Sequence, residues 1–568
     1  MAAPVVEYDE DVEADKADVE MTDEERSLKE EEHVEEAAKS NAKLWLAAKL
    51  LCLVGLVAFT IAAFIYDSDE AVVLIYWWIA IGFIAVSWLL THRFTGPYNA
   101  AGNALNKLSD TISGSRPLSI GLSVVGTAII IIIIALSIDG ADRLMALVGI
   151  AVLLLFSWAV SYHRTKVALR PVIGGLLLQF LFALFILRTK PGFELFNFFG
   201  EQVNAFLAYV AKGADFVFAG LSTGDGGQDK FLDFGVFAFS VVPVVIFFSS
   251  FTSVMYYLGV MQTLIRVIGK TLAYFLGTSA SESLNAAGNI FVGQTEAPLL
   301  IRPFMKDMTA SEIHAVMTGG FATIAGSVLA SFIRDGVPAS HLLTASVMSA
   351  PAALAVSKIV YPEVEVSKTR AGIDYEIPTG NHPNIIAAAA SGASDAIILA
   401  ANIVAQLIAF ISAIAMFDAW LAYFGLFVGA ELTFTKLAGW VFYPVAFLMG
   451  VPAEDCEVVG QLFGIKVFIN EFAAYGDLAK IKRRALEDGV EVISARSFVI
   501  ATYGLCGFAN FASMGIQIGG LTPLAPNKAN LITKLVFSAM IAGNVACFLT
   551  GCIASLLLTE EASTFNAI

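Results

Sequence analysis

The sequence predicts an all-α polytopic membrane protein. Hydrophobic residues fill 57% of its 568 positions and charged residues only 15%, whereas soluble domains carry about 25% charge. The apolar residues gather into successive stretches that approach the roughly 20 residues needed for one bilayer crossing. We identify about eleven such stretches, together with two apolar segments that prolines and polar side chains interrupt.

An acidic tail precedes the first apolar stretch. Residues 1–40 hold sixteen Asp and Glu against four Lys and Arg, so they supply −12 of the net charge of −16. Such runs are solvated and disordered, and we assign residues 1–42 to a cytoplasmic tail. It lacks the basic start of a secretory signal, so the first span is predicted to be a retained anchor.

The five cysteines show no metal-ligand spacing and predict buried single thiols.

Five apolar stretches follow in the N-terminal part of the chain. They are residues 44–66, 71–90, 118–138, 144–160 and 171–187. The first three make up a region at 43–140, and the other two belong to a region at 141–230. Basic residues occupy alternate links between these stretches, and the intervening links are acidic. The positive-inside rule therefore places the N-terminus in the cytoplasm.

The remaining elements fall into two similar halves. Residues 193–218 mix aromatic and acidic side chains, which is typical of an amphipathic helix at the membrane interface. Spans at 234–258, 312–332 and 340–360, with a re-entrant hairpin near 282–304, build the region 231–430, which closes with a span at 396–427. A hairpin near 440–478 and spans at 496–520 and 535–558 build the region 431–560, before a short tail at 561–568.

Each interrupted segment carries a glutamate and is followed by the same tripeptide. Glu296 lies in a Gly-Gln-Thr-Glu-Ala-Pro run and Glu471 follows an asparagine, and a Gly-Phe-Ala sequence comes after each, at 320–322 and 507–509. Ionisable groups at membrane depth cost several kcal/mol unless paired, so they mark functional sites. Paired interrupted segments in two halves indicate the midplane site of a secondary transporter.

The polar residues of the first segment suit a polar, neutral ligand. Gln294 and Thr295 offer donors and acceptors, and Glu296 and Glu471 accept hydrogen bonds when ionised. Hydroxyl groups and a planar ring with amide character would satisfy this set. Two carboxylates would also pair with a cation, so an ion-coupled symporter of another small polar or cationic solute remains the alternative.

Further candidates lie around these segments. Asn510 and Ser513 are three residues apart and are predicted to share a helix face, and the ring of Phe508 could pack on a ligand. A second set offers oxygen atoms of the kind that a small hard cation needs, partly from unwound backbone. It comprises Asn289, the carbonyl of Val292, Thr323 and the carbonyl of Ile324. For Asn289 alone, a helix-capping amide is an equally good explanation.

The motifs resemble the concentrative nucleoside transporter family. The resemblance rests on residues 293–303, 308–309, 312–326, 470–472 and 505–510, and it extends from about 234 to 558. The three N-terminal spans resemble the additional ones of eukaryotic members. The resemblance implies an ion-coupled symporter that carries nucleosides into the cell, with sodium, or alternatively protons, as the coupling ion. It also implies an inverted repeat, an elevator-type transport domain and a homotrimer.

The same resemblance implies a role for each candidate residue. The nucleobase would contact Gln294 and Thr295, with Glu296 nearby through water. The ribose hydroxyls would contact Glu471, Asn510 and Ser513. The side chains of Val328 and Phe508 would pack on the nucleoside. Sodium would lie between Asn289, Val292, Thr323 and Ile324.

Two positions bear on selectivity and topology. Gly293 stands where pyrimidine-selective relatives carry serine, so we expect a broad site that takes uridine, adenosine and inosine. The basic cluster Lys480, Lys482, Arg483 and Arg484 would lie outside in the family topology, against the positive-inside tendency. We retain that topology, with a plasma-membrane location and an extracellular C-terminus.

Two other classes of function are disfavoured. A membrane enzyme would need a nucleophile–base pair or a metal cluster, and six scattered histidines form neither. A channel would need a pore ring rather than two occluding hairpins. We therefore expect no catalytic activity, no organic cofactor and no nucleic-acid partner, and the lipid bilayer as the surrounding medium.

Overall fold

The computed structural model describes residues 141–218, 237–368, 382–487 and 489–558, with a few helical positions between 54 and 65. The chain divides into two compact units, residues 1–95 and 96–568, and the helices below belong to the second. The predicted tails, the spans at 71–90 and 118–138, and most of the span at 44–66 lie outside the described residues.

Three helices open the described part of the second unit. Helix α1 covers Ala141–Ala159, α2 covers Leu169–Arg188 and α3 covers Lys190–Phe218. Helix α2 packs against α3 and, most extensively, against the later helix that contains Pro351. Helix α3 includes the segment for which an interfacial position is predicted, and that position stays a prediction.

A bent helix pair and a hairpin follow. Helices α4 (Phe237–Tyr257) and α5 (Val260–Leu276) are inclined at 80° across a short break. Gly259, with φ of 80°, occupies that break, where a side chain would be strained. Helix α5 then turns at Gly277 and pairs with α6 (Ala280–Gly288). A capping box between Ser279 and Glu282 starts α6 by satisfying free backbone amides.

The chain after α6 is irregular before it returns to long helices. A 3-10 helix at Ala297–Ile301 and the short helix α7 (Arg302–Met305) lead to α8 (Ala310–Ala322). Helix α9 (Gly326–Arg334) follows after a break of three residues, and α10 (Ala339–Val360) completes this half.

The second half repeats this order. The 44-residue helix α11 (Ile385–Val428) leads to a hairpin of α12 (Phe434–Leu448) and α13 (Cys456–Phe468). Helix α14 covers Glu471–Glu487. Helices α15 (Ala495–Leu505) and α16 (Phe511–Leu521) are separated by a break, and α17 covers Ala529–Leu557.

The two halves correspond element by element. In each, a long helix leads to a helical hairpin, a shorter helix, a broken helix and a final long helix. The two leading helices, α4 and α11, pack together, and so do the two final helices, α10 and α17. The all-helical architecture with an internal repeat is therefore confirmed in the described part of the chain.

The segment 282–304 contains two helical limbs that pack together. Helix α6 contacts the 3-10 helix at Ala297–Ile301, and a Cβ atom built at Gly288 would lie 2.7 Å from Leu300 Cδ1. Helix α6 also packs against α5, to which it is joined through Gly277, whose φ is 67°. In the segment 440–478, helix α13 packs against both α12 and α14, and Glu471 begins α14. The re-entrant position of both segments stays a prediction.

Several predicted crossings also differ in detail. Those at 312–332 and 496–520 are each broken into two helices, and the one at 396–427 begins at residue 385. Five helical stretches in the described part are long and apolar enough to cross a membrane, or up to six if the bent α4–α5 pair forms one span. They are Leu169–Arg188, Ala310–Arg334, Ala339–Val360, Ile385–Phe427 and Pro526–Leu557.

A buried ion pair ties the first hairpin to the rest of its half. Lys358 Nζ, near the end of α10, lies 2.7 Å from Glu282 Oε2 at the start of α6, and both side chains are buried. The ammonium group also donates to Ser311 Oγ on α8 at 2.9 Å and lies 3.5 Å from Glu363 Oε2. Removing one partner of a buried pair leaves the other charge uncompensated.

We expect the substitution Lys358→Met to destabilise the protein by about 3–5 kcal/mol, because it leaves the Glu282 carboxylate buried without its cation. The measurement is the thermal unfolding midpoint of the purified protein in detergent. Combining Lys358→Met with Glu282→Gln should restore most of the loss, since glutamine also serves in a capping box.

The matched control is Lys190→Met. Lys190 lies 3.8 Å from Glu194 in an exposed pair, and exposed pairs contribute about 0–1 kcal/mol. Equal midpoints for the Lys358 and Lys190 variants would contradict the structural role of the buried pair.

Candidate substrate and cation site

The two broken helices meet at their breaks. The backbone N–H of Phe508, between α15 and α16, donates to the carbonyl oxygen of Thr323, between α8 and α9, at 3.2 Å. Helix α17 supports this junction, because Asn544 Nδ2 donates to the carbonyl of Ala509 at 3.0 Å. Backbone groups that leave a helix at membrane depth need partners within the protein. Here each break supplies a partner for the other.

The junction has no room for a side chain at Gly507. A Cβ atom built there would lie 2.7 Å from the carbonyl oxygen of Phe321 and 2.6 Å from Cys547 Sγ. The thiol of Cys547 in turn lies 3.1 Å from the carbonyl oxygen of Cys506. The second Gly-Phe-Ala sequence therefore begins with the residue that allows the two breaks to approach.

A buried carboxylate and amide form one wall of the site. Glu471 is only 3% exposed, and its Oε2 accepts a hydrogen bond from Asn510 Nδ2 at 2.8 Å. Asn510 Oδ1 accepts the backbone N–H of Ser513 at 2.8 Å. The sequence placed Asn510 and Ser513 on one helix face, but Asn510 is instead the N-cap of α16. The cap fixes the amide so that its nitrogen points at the carboxylate.

Thr295 lies against Gly520 of α16, and Gln294 lies against Gly320 of α8, which also faces Gln517 of α16. A Cβ atom at Gly320 would lie 2.8 Å from Gln294 Cβ and 2.3 Å from Gln517 Nε2. A Cβ atom at Gly520 would lie 2.8 Å from Thr295 Cγ2. The first interrupted segment and helix α16 thus pack together through glycines.

Gln517 is a further polar residue of the site that the sequence motifs do not single out. It is fully buried and its Nε2 donates to the carbonyl of Met317 at 3.4 Å. Its position seven residues after Asn510 and four after Ser513 places it two helical turns along the same side of α16. That spacing was readable in the sequence.

Glu296 lines a cavity that Gln294 does not border. Its Oε2 accepts the backbone N–H of Gly293 at 2.5 Å, and its side chain is exposed to a cavity of about 310 Å³. Tyr256 of α4 and Asp395 of α11 also line this cavity. The described contacts of Glu296 are made here rather than with Glu471. Glu296 drew notice in the sequence because a buried carboxylate is costly to desolvate. Its exposure to an open cavity reduces that cost.

The apolar candidates belong to one cluster. Val328 on α9 and Phe508 at the junction are both buried and share a hydrophobic core cluster. The ring centroids of Phe332 and Phe472 in the same cluster are 5.0 Å apart in an edge-to-face arrangement. The cluster forms apolar surroundings for Glu471, which is the neighbour of Phe472 in the chain.

The cation candidates come from segments that lie side by side. Asn289 is fully buried, and neither its amide oxygen nor its amide nitrogen has a hydrogen-bond partner within the described part of the chain. Its Nδ2 would lie 3.1 Å from a Cβ atom at Gly319, whose carbonyl accepts Thr323 Oγ1 at 2.9 Å. The N–H of Gly326 donates to the carbonyl of Phe291 at 3.0 Å.

These contacts place the backbone around Val292 next to the backbone around Ile324. A buried amide with no partner costs free energy, and a bound cation would give the Asn289 oxygen a partner. Amide, hydroxyl and carbonyl oxygens are ligands that suit a small hard cation, and broken helices in transporters commonly supply them.

Paired hairpins, paired broken helices and a polar centre between the two halves define a secondary transporter. Three family models cover this chain in succession. "Na+ dependent nucleoside transporter N-terminus" matches residues 148–221, "Nucleoside recognition" matches 238–337, and "Na+ dependent nucleoside transporter C-terminus" matches 341–555. The chain belongs to the sodium-dependent nucleoside transporter family.

Individual relatives agree with this assignment. The chain is 45% identical over 524 residues to Solute carrier family 28 member 3 of Eptatretus stoutii, covering 90% of this chain and 74% of that protein. It is 44% identical over 455 residues to Sodium/nucleoside cotransporter 2 of Rattus norvegicus, covering 78% and 67%.

Solved structures of a related protein share the fold. CNTnw in an inward-facing substrate-bound state has a TM-score of 0.68 and 38% identity, covering 73% of this chain and 98% of that one. A variant of CNTnw in an outward-facing state has a TM-score of 0.70 and 37% identity, covering 75% and 100%.

We expect Gly507→Ala to separate the two breaks, because its Cβ would collide with the Phe321 carbonyl and the Cys547 thiol. Overpacking of this kind costs about 1–3 kcal/mol. A lowered thermal midpoint of the purified protein would show the loss.

The control for this prediction is Gly519→Ala on α16, where an added Cβ has no heavy atom within 4 Å. Removing a helical glycine there should leave the midpoint unchanged or raise it slightly. A Gly507 variant as stable as the Gly519 variant would contradict close packing at the junction.

Proposed function

We propose that this protein is a sodium-coupled symporter that carries nucleosides into the cell, with a site broad enough for pyrimidine and purine nucleosides. The observation that carries the proposal is the junction of the two broken helices. On one side of it Asn510 holds Glu471 at 2.8 Å, and on the other side Gln294 lies against Gly320. The matched families and relatives bear nucleoside and sodium in their names.

The second half supplies the groups for ribose. The carboxylate of Glu471 accepts hydrogen bonds when ionised, and sugar hydroxyls donate them. The Asn510 amide already occupies part of this carboxylate and orients it. Ser513 is buried in the first turn of α16, where its hydroxyl adds a donor and an acceptor. The pairing favours a ligand with adjacent hydroxyl groups.

The first half supplies the groups for the base. Gln294 lies against Gly320 of α8, and Thr295 lies against Gly520 of α16. Val328 and Phe508 provide apolar surfaces on which a planar ring packs. Glu296 opens into the neighbouring cavity, so we assign it to the approach of the substrate and to water near the base.

Sodium occupies the position between Asn289, Val292, Thr323 and Ile324 in this proposal. Asn289 follows α6 directly, and Gln294 lies five residues further along the same irregular segment. An ion that orders this segment therefore also positions the base-binding amide. By linkage, the nucleoside raises sodium affinity by the same factor as sodium raises nucleoside affinity.

An elevator-type movement in a plasma-membrane homotrimer completes the proposal. Both hairpins and both broken helices surround the candidate site, while α4 and α11 pack on each other beside it. Movement of the hairpin-bearing helices against that pair would carry the site across the membrane. Much of α11 exposes large apolar side chains such as Trp420 and Phe424, which a lipid or subunit surface would cover.

The decisive experiment is uptake of labelled uridine, adenosine, inosine and guanosine into cells that express the protein. We expect accumulation above the external concentration that depends on an inward sodium gradient and collapses when choline replaces sodium. Dissipative flux alone would indicate a channel, and chemical change of the substrate would indicate an enzyme. Accumulation of other solutes without nucleosides would overturn the substrate assignment.

Glu471→Gln should lower sodium-driven uridine uptake at low substrate concentration by about tenfold or more, because hydrogen bonds to a charged group contribute about 1.5–3 kcal/mol. The measurement is the initial rate normalised to protein at the cell surface. Glu457→Gln is the matched control, since Glu457 is exposed on α13. Near-normal uptake by the Glu471 variant would refute the ribose assignment.

Asn289→Leu should raise the sodium concentration needed for half-maximal uptake, because it removes an uncharged oxygen ligand from a buried position. A shift of about tenfold corresponds to 1.4 kcal/mol of binding free energy. Asn197→Leu on the exposed side of α3 is the control. An unchanged sodium dependence in the Asn289 variant would move the cation site elsewhere.

A further inference from the structure

Gln517 presents a buried acceptor that no residue in the described part of the chain satisfies. Its side chain is fully buried, its Nε2 donates to the carbonyl of Met317 at 3.4 Å, and its Oε1 has no hydrogen-bond partner in the described part. A carbonyl can only accept, so this contact fixes which end of the amide is the nitrogen. Oε1 is therefore the acceptor end of the amide, and it needs a hydrogen-bond donor from outside the described part of the chain.

Gln294, which lies beside Gly320 together with Gln517, carries a second unsatisfied acceptor. Gln294 is buried, and its Oε1 also has no partner among the described residues. Both glutamines lie against Gly320, which has no side chain to separate them. Leaving a buried acceptor unpaired costs about 1–3 kcal/mol. Two such side chains beside one glycine indicate a ligand that brings hydrogen-bond donors.

The position of Gln517 along α16 places it at the base end of the site. Asn510 and Ser513, assigned to ribose, occupy the start of the helix, and Gln517 follows one turn beyond Ser513. It therefore lies further from the sugar groups and beside Gln294, which is assigned to the base. This step rests on the proposed function.

We propose that Gln517 is a specificity-determining residue that reads the nucleobase as a hydrogen-bond acceptor, together with Gln294. Two acceptors match a base edge with two neighbouring donors. Guanine has this edge, because N1–H and the 2-amino group are adjacent. Hypoxanthine, the base of inosine, keeps N1–H but lacks the amino group. The site therefore favours guanosine over inosine, since a site built for a hydrogen bond rejects the analogue that leaves it unmade.

The test compares guanosine with inosine, which differ only in that amino group. We expect kcat/KM for sodium-driven uptake to be about tenfold higher for guanosine in the unmodified protein, the factor for one hydrogen bond of about 1.4 kcal/mol. Gln517→Met keeps the length of the side chain without the acceptor. The ratio of the two substrates should fall to near one in this variant.

Gln179→Met is the matched control. Gln179 on α2 is also fully buried, its Nε2 donates to Thr550 Oγ1 at 2.9 Å and its Oε1 also has no partner in the described part. Losing this glutamine should reduce the amount of folded protein without changing the guanosine-to-inosine ratio. Because the ratio is taken within one variant, it is independent of expression.

The outcomes separate this inference from the proposed function. Equal uptake of the two nucleosides by the unmodified protein, or an unchanged ratio in Gln517→Met, overturns the inference alone. Absence of sodium-driven uptake for every nucleoside overturns both. If the methionine variant does not reach the membrane, Gln517→Asn serves instead, since it withdraws the amide by one methylene group and should also reduce the ratio.

Discussion

The hydrogen bond from the Phe508 amide to the Thr323 carbonyl, 3.2 Å long, is the contact around which the site is built. A helix that breaks inside a membrane exposes backbone groups that lipid cannot satisfy. In this protein the two breaks come from different halves of the chain and satisfy each other. Each half of the repeat therefore needs the other half. Without it, the backbone group at the break would lose its hydrogen-bond partner.

The two halves contribute different chemistry to this shared junction. The second half holds a carboxylate that an asparagine orients, and the first half holds amides packed on glycine. Glu296 and Glu471 have corresponding places in the sequence, yet only Glu471 is buried at the junction. The duplication thus conserves the backbone arrangement while the side chains have separate tasks. An asymmetric ligand with a sugar end and a base end fits such a site.

Much of this arrangement was readable from the sequence, for identifiable physical reasons. Intramembrane glutamates are costly, so Glu296 and Glu471 marked the two segments in advance. The Ser279–Glu282 capping box that starts α6 was equally readable. The role of Gly320 was not readable. It depends on Gln294 and on Gln517, more than two hundred residues further along the chain, both lying against Gly320 in the fold.

The length of helix α11 has a consequence for the surrounding lipid. Its 44 residues extend about 66 Å at 1.5 Å per residue, roughly twice the thickness of the hydrocarbon layer. A helix of this length must lie steeply inclined, protrude, or deform the bilayer, each at a cost per ångström of mismatch. Because α11 borders the cavity that Glu296 lines, membrane thickness and sterol content become physical variables in the working of the protein.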